Sequence, residues 1–152
     1  IMLTNGGDAF PLPEMATGIT NILRGRDAVV PKPALVDHLW HLTDADPKGL
    51  RSEIARLLEQ ESEHYRISES DLNDLGYTLL ATQQTDAARS VFAAVVDAYP
   101  DSANAHDSYG EALMLSGNHA LAVASYQRSL ELDPDNQNAV HMLARIKTKM
   151  RR

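Results

Sequence analysis

The stretch that decides the fold occurs twice in this chain. Residues 72–102 read LNDLGYTLLATQQTDAARSVFAAVVDAYPDS, and residues 106–136 read HDSYGEALMLSGNHALAVASYQRSLELDPDN. When the two are aligned, residues of similar size and chemistry are separated by 34 positions throughout. The matched pairs are Gly76 and Gly110, Leu79 and Leu113, Ala88 and Ala122, Phe92 and Tyr126, Pro100 and Pro134, and Asp101 and Asp135. A fixed period of this length is typical of a repeat protein.

Each copy has the pattern of two antiparallel helices, which we call A and B. We expect the glycine of helix A to face the alanine of helix B, because a larger side chain there would push the helices apart. The aromatic residue fills the wider gap beside that contact, and the proline ends helix B. In the second copy Gly117 ends helix A. The first copy has QQT (83–85) in its turn, so we expect this turn to differ.

This pattern resembles the tetratricopeptide repeat over residues 69–136. The resemblance implies an all-α fold, a solenoid of antiparallel helix hairpins with repeats at 69–102 and 103–136. The structural signature residues are Gly76, Ala88, Phe92 and Pro100 in the first repeat and Gly110, Ala122, Tyr126 and Pro134 in the second.

The segments that flank the repeats are predicted to be helical as well, because a repeat buries its apolar face only against a neighbour. After Pro134, the residues Ala139, Val140, Leu143 and Ile146 fall on one helical face, which predicts a C-terminal capping helix and a repeat region over 67–152. Before the repeats, residues 33–42 and 47–61 form two helical patterns, and the second has its apolar face at Leu50, Ile54, Leu57 and Leu58. We interpret 31–66 as a degenerate helical hairpin because it lacks the glycine–alanine pair, with Asp44 or Asp46 capping its second helix.

Composition excludes several classes of function. The formal charge of −7 disfavours nucleic-acid binding, which needs a positive surface. No window approaches the roughly 18 apolar residues of a membrane span. The absence of cysteine excludes disulfides and thiolate chemistry. The basic end, RIKTKMRR (145–152), is interpreted as a solvated helix end that complements the helix dipole.

We find no catalytic, cofactor-binding or metal-binding motif. His38 and His41 are three residues apart near acidic side chains, but Trp40 and the surrounding leucines favour the edge of an amphipathic helix over a metal site. Residues 44–49, DADPKG, resemble the start of a calcium loop, yet Lys48 stands at a ligand position. The sequence has no nucleophile elbow, no S-x-x-K, no Y-x-N and no K-T-G element. We therefore expect this chain to be non-catalytic and to need no cofactor.

The resemblance places function on the surface of the A helices, which line a concave groove in this family. The groove candidates are Asn73, Tyr77, Asp107, Glu111, His141 and Arg145. This polar row could hold an extended peptide or a neighbouring segment, or it could be a solvated face. Some family members grip the C-terminal carboxylate of chaperone tails. Here Asp107 and Glu111 would repel such a tail, so that specificity is not carried over.

Residues 1–25, IMLTNGGDAFPLPEMATGITNILRG, have a different character. They predict a short strand, a loop and a helix that begins near Pro13 and ends at Gly25. This segment resembles the last strand and C-terminal helix of serine hydrolases of the class C β-lactamase and penicillin-binding type. The resemblance implies that residues 1–30 are the end of an upstream hydrolase-like domain whose active site is not in this chain.

Two hypotheses for the function follow. The first is a protein-interaction or scaffold module that binds a protein or peptide partner, or positions an upstream catalytic domain. The second is a C-terminal, non-catalytic fragment of a β-lactamase-like peptidase or esterase, which would favour a periplasmic or secreted location. An unpaired strand over residues 1–4 would be disordered or would pair with the same strand of another copy, forming a homo-oligomer.

Overall fold

The computed structural model describes residues 38–40, 42–60 and 68–150, all of which lie in one compact unit, Ala34–Arg152. Within these ranges every regular element is an α-helix. The helices are α1 (Leu42–Ala45), α2 (Leu50–Gln60), α3 (Glu69–Ala81), α4 (Thr85–Ala98), α5 (Ala103–Leu115), α6 (His119–Leu132) and α7 (Gln137–Met150). The predicted strand and helix of residues 1–30 lie outside the described residues.

The helices pack as a solenoid of hairpins. Helices α3 and α4 form the first hairpin and α5 and α6 the second, α4 packs against α5, and α7 packs against α6. Helix α2 packs on α4, the B helix of the first repeat. The all-α helix-hairpin architecture expected from the 34-residue period is therefore confirmed for the part of the chain that the structure describes.

The N-termini of the three A helices are capped at the same interval of 34 residues. The Ser68 Oγ accepts a hydrogen bond from the Asp71 N–H at 3.0 Å, and the Ser102 Oγ accepts one from the Ala105 N–H at 3.1 Å. At the start of α7 the Asn136 Oδ1 accepts from the Ala139 N–H at 3.1 Å. Each cap satisfies one of the free donors of a helix start, which fixes where helix A begins in each repeat.

The glycine of each A helix contacts the aromatic residue of its B helix. A Cβ added to Gly76 would lie 2.5 Å from a Phe92 ring carbon, and one added to Gly110 would lie 2.9 Å from a Tyr126 ring carbon. The expected approach of the glycine to the alanine of helix B stays a prediction. The three atoms nearest an added Cβ belong to the ring at both glycines, so the aromatic side chain packs against helix A where glycine leaves room for it.

The turns between helices A and B have the same backbone conformation in both repeats. Gln83 has φ 64° and Gly117 has φ 80°, both in the left-handed region. The Gln84 N–H donates to the Leu79 carbonyl at 2.8 Å. One period later the Asn118 N–H donates to the Leu113 carbonyl, also at 2.8 Å. The expectation that the first turn differs is wrong, because the packing of the hairpin imposes the same turn. Gln83 therefore adopts a left-handed backbone conformation that is sterically unfavourable for a residue with a Cβ.

The core follows the apolar positions of the repeats. In α2 the predicted residues Leu50, Ile54 and Leu57 are buried. Asp46 caps this helix, with its Oδ1 accepting from the Gly49 N–H at 3.0 Å. Two adjoining apolar clusters run from α2 to α5 and from α5 to α7, and the half-buried Tyr109 packs against both.

Helix α7 is buried on one side only. Ala139 and Ile146 are buried as expected and Leu143 is half-buried, but Val140 is 47% exposed. Ala144 and Lys147 are also exposed, and they occupy the positions of Gly110 and Leu113 one period later. The prediction that Val140 shares the buried face is therefore wrong, because this side of an A helix is the one that a B helix would cover.

Candidate functional site

The side chains of successive A helices are joined by hydrogen bonds along one face. The Tyr77 Oη lies 3.1 Å from the Ser108 Oγ and donates to the Glu111 Oε2 at 3.3 Å. The ring of Tyr77 meets Phe92 edge to face, with centroids 5.2 Å apart. Burial raises the pKa of the Tyr77 hydroxyl above its ordinary value, and the charge of Glu111 raises it further. Two of the predicted groove residues, Tyr77 and Glu111, are thus brought together across the repeat boundary.

The predicted groove residue Asp107 is half-buried, and both of its carboxylate oxygens accept hydrogen bonds. Its Oδ1 accepts from the Asn136 Nδ2 at 3.1 Å, and its Oδ2 accepts from the Asn138 Nδ2 at 2.7 Å. The same Asn136 Nδ2 also donates to the Ser129 Oγ at 2.8 Å. Asp107 therefore joins helix α5 to the start of helix α7, and its carboxylate is a structural acceptor.

A similar polar junction joins the first two A helices. The Glu69 Oε1 accepts from the Ser102 Oγ at 2.6 Å and lies 3.5 Å from the Asn104 Nδ2. Ser102 and Asn104 stand one period before Asn136 and Asn138. The pattern S-x-N followed 34 residues later by N-x-N is the sequence signal for these junctions.

The hydroxyl of Tyr126 is a feature of this face that sequence reasoning missed. The residue is fully buried, and within the described residues its Oη has no hydrogen-bond partner. Burial is the main cause that raises the pKa of Tyr126 well above its ordinary value. The charges of Asp107 and Glu111 raise the pKa further and that of Arg145 lowers it. The hydroxyl is therefore close enough to three predicted groove residues to feel their charges.

Two further groove candidates, His141 and Arg145, share a depression on helix α7. It has a volume of about 480 Å³ and is lined by His141, Ala144, Arg145, Thr148 and Lys149. The Thr148 Oγ1 donates to the Ala144 carbonyl at 2.9 Å, so it is used within the helix. This depression combines an aliphatic floor with the cationic groups of Arg145 and Lys149.

A second depression shares two of its walls with the first. It has a volume of about 260 Å³ and is lined by Met114, Leu115, His119, Arg145, Ile146 and Lys149. Leu115 is 57% exposed, which makes it one of the most exposed large apolar side chains in the described ranges. Arg145 and Lys149 therefore line both depressions, and the second adds the apolar side chains of Met114, Leu115 and Ile146.

Asn73, the remaining groove candidate, has no recorded hydrogen bond or ion pair with the other five within the described residues. It is half-buried, and its Oδ1 is a buried atom without a hydrogen-bond partner among the described residues. The six candidates thus form a group around Tyr77, Asp107 and Glu111, a group of His141 and Arg145, and a separate Asn73.

In the described ranges no group of three or more His, Asp or Glu side chains is placed to hold a metal ion. His41 lies outside those ranges. None of the helices α1–α7 is long and apolar enough to cross a bilayer.

Comparison with known proteins agrees with this geometry. The family model for the tetratricopeptide repeat matches residues 73–137. Among solved structures, a mutant form of MamA, a tetratricopeptide repeat protein, is 24% identical with a TM-score of 0.61, and the match covers 76% of this chain and 85% of that one. No curated protein matches the sequence significantly. Residues 73–137 therefore match the tetratricopeptide repeat, and the structural likeness supports the same helix-hairpin fold.

The resemblance of residues 1–25 to serine hydrolases gains no support from these comparisons. The matched segment 73–137 does not include them, and they lie outside the described residues. The sequence-based identification is thus confirmed for the repeats and remains a prediction for the N-terminal segment.

Proposed function

We propose that this chain is a protein-interaction module that binds an extended segment of a partner on the face formed by α3, α5 and α7. The tetratricopeptide repeat is generally an interaction module without catalysis, and its solenoid creates a concave surface for partners. An extended peptide is the natural occupant of such a surface because it can contact several repeats at once.

The observation that carries the proposal is the hydrogen bonding between successive A helices, in which the Tyr77 Oη lies 3.1 Å from the Ser108 Oγ and donates to the Glu111 Oε2 at 3.3 Å. Tyr77, Glu111 and Arg145 occupy the same position of three successive A helices, 34 residues apart. Tyr77 is 36% exposed, and Arg145 lines an open depression. The A helices therefore offer an aromatic anchor, an acidic acceptor and a cationic group at one repeated position.

A peptide array tests this proposal. Arrayed extended peptides are probed with the intact chain and with the variants Tyr77→Ala and Glu111→Ala, and the matched control is Leu121→Ala. Leu121 is 57% exposed and lies on a B helix, so its removal should leave binding unchanged. We expect each groove variant to weaken binding by about tenfold, equivalent to roughly 1.4 kcal/mol. Peptides that bind equally well to all four proteins would contradict a site on this face.

Tyr77→Ala also removes the ring contact with Phe92, so a loss of binding could reflect a loss of structure. Tyr77→Phe separates the two effects because it keeps the ring and removes only the hydroxyl. Thermal melting of each variant, measured beside binding, shows whether the hairpin is intact.

The second hypothesis, a C-terminal fragment of a β-lactamase-like serine hydrolase, rests on residues 1–25 alone. No feature of the described residues favours it. The coding sequence immediately upstream of Ile1 decides it: an S-x-x-K element followed later by Y-x-N would establish the hydrolase. Pairing of residues 1–4 between copies likewise remains a prediction, which light scattering tests.

A further inference from the structure

We propose that the α7 end of this face binds an acidic segment of the partner, with alternate carboxylates placed against Arg145 and Lys149 and an aliphatic side chain in the adjoining depression. This inference rests on the proposed function and specifies the chemistry of the ligand. The segment is internal, so its side-chain carboxylates are recognised and a free C-terminus is not required.

The acidic and basic groups on this face differ in whether they already have polar partners. Asp107 accepts two amide hydrogen bonds, and Glu111 accepts one from Tyr77. In the described part of the chain, neither Arg145 nor Lys149 takes part in any of the recorded ion pairs. Arg145 contacts only a neutral acceptor, with its Nη1 3.5 Å from the Met142 Sδ. The charged groups on this face that remain able to form new ion pairs are therefore the cations Arg145 and Lys149.

The charge of helix α7 is opposite in sign to that of the chain as a whole. Helix α7 contains three Lys or Arg residues and no Asp or Glu, in a chain whose formal charge is −7. A cationic helix on an acidic protein attracts anionic segments to one end of the face and repels them elsewhere. The direction in which an acidic segment approaches is set by this asymmetry.

The spacing of Arg145 and Lys149 matches that of alternate side chains in an extended peptide. Arg145 and Lys149 are four residues apart on α7, which places them about 6 Å apart along the helix axis. Alternate residues of an extended peptide point to the same side and are about 6.6 Å apart. A pattern of acidic residue, any residue, acidic residue thus matches the two cations when the peptide runs along α7.

The second depression shares Arg145 and Lys149 with the first and adds room for a side chain of the ligand. Met114, Leu115 and Ile146 supply its apolar walls, and its volume is about 260 Å³. A leucine-sized side chain fits a space of this size. Burial of such a side chain adds affinity that charge alone would not give at physiological salt.

The probe is a short synthetic peptide, acetylated and amidated at its ends, that contains alternating glutamates and one leucine. Its binding to the intact chain is measured by fluorescence anisotropy beside three relatives. One has glutamine in place of glutamate, one has serine in place of leucine, and one has a free C-terminus. We expect the glutamine peptide to bind at least about tenfold more weakly, since it loses the charged contacts. The serine peptide should be weaker by several-fold, and the free C-terminus should make no difference.

The variants Arg145→Gln and Lys149→Gln should each weaken binding of the glutamate peptide by about fivefold to tenfold. The matched control is Lys147→Gln, which removes one positive charge from the same exposed helix at a residue that lines neither depression. Its affinity should stay within about twofold of the unchanged chain, because the charge it removes is screened beyond about 10 Å. An equal loss at Lys147 would overturn the proposed site in favour of diffuse attraction.

Other occupants give different results. Binding of anionic phospholipid vesicles or of inorganic phosphate that is lost in Arg145→Gln, without binding of the peptide, would overturn the proposal. If the glutamine and glutamate peptides bind equally and both depend on Tyr77, the acidic specificity is wrong and the peptide-binding function stands. If no arrayed peptide depends on Tyr77 or Glu111, the proposed function itself fails.

Discussion

Alanine in place of glycine should have unequal effects in the two A helices. A Cβ at position 76 would lie 2.5, 2.6 and 2.8 Å from three ring atoms of Phe92. At position 110 the corresponding distances to Tyr126 are 2.9, 3.0 and 3.0 Å. Contacts below 3.0 Å force a movement, so both substitutions displace the ring. Gly76→Ala has three such contacts and must move the Phe92 ring by about half an ångström, whereas Gly110→Ala has one, at 2.9 Å, and needs a smaller shift of Tyr126.

The magnitude follows from two opposing effects. Alanine is favoured over glycine inside a helix by about 1 kcal/mol. Overpacking a well-packed core costs about 1–3 kcal/mol, and the upper part of that range applies where the displaced group is held on all sides. Phe92 is fully buried and its ring packs edge to face on Tyr77. We therefore expect Gly76→Ala to lower the free energy of unfolding by about 1–2 kcal/mol and Gly110→Ala to change it by less than about 0.5 kcal/mol.

Urea unfolding followed by circular dichroism measures this difference. Both variants should have the same dependence of the free energy of unfolding on urea concentration as the unchanged protein, so that the urea concentration at the midpoint reports the change in stability. The variant Gly76→Ala should have the clearly lower midpoint. Equal midpoints for the two variants, or a rise at position 76, would show that the ring contact does not set the requirement for glycine.

A double-mutant cycle identifies the ring as the cause. Phe92→Leu removes the ring atoms that a Cβ at position 76 would meet, at the cost of a cavity. In that background Gly76→Ala should become neutral or stabilising. The interaction free energy between the two sites should be at least about 1 kcal/mol.

Three further predictions concern turns, a buried hydroxyl and a cap. Gln83→Gly should raise the free energy of unfolding by about 0.5–1 kcal/mol and Gly117→Gln should lower it by about 1 kcal/mol, because both positions are left-handed; urea midpoints that move in the same direction would contradict this. Tyr126→Phe should stabilise the protein by about 1 kcal/mol because its buried hydroxyl lacks a partner. Because the pKa of Tyr126 is raised in the folded protein, only the unfolded state releases this proton just above pH 10. The unchanged protein should therefore lose stability as the pH rises through this range. Urea titrations between pH 9 and 11 should show a smaller loss for Tyr126→Phe. Asn136→Ala should cost about 1–2 kcal/mol and accelerate hydrogen exchange selectively in α7, since it removes both the cap and the bond to Asp107; uniform acceleration across α3–α7 would argue against a local role.

The helical hairpins could be predicted because their determinants are local and recur. The period of 34 residues places glycine, alanine and aromatic residues at fixed positions, and the caps Ser68, Ser102 and Asn136 share that period. The apolar spacing of α2 likewise predicted its buried residues Leu50 and Ile54.

The features that could not be predicted depend on contacts between elements. The sequence of the first turn gave no sign that Gln83 would adopt the conformation of a glycine, because the hairpin imposes it. Val140 fits an apolar periodicity, but whether it is buried depends on a neighbouring helix. The acceptor role of Asp107 and the isolated hydroxyl of Tyr126 arise from residues about thirty positions away in the chain or on other helices.

The exposed side of α7 has a consequence for building longer arrays from this domain. In the two complete repeats, the position equivalent to Ala144 is a glycine that admits an aromatic ring, and the position equivalent to Lys147 is a buried leucine. An appended B helix with the usual aromatic residue would meet a methyl group and a charge at these two places. Ala144→Gly together with Lys147→Leu should turn α7 into an acceptor for another module, so two substitutions control whether this surface recruits an engineered extension.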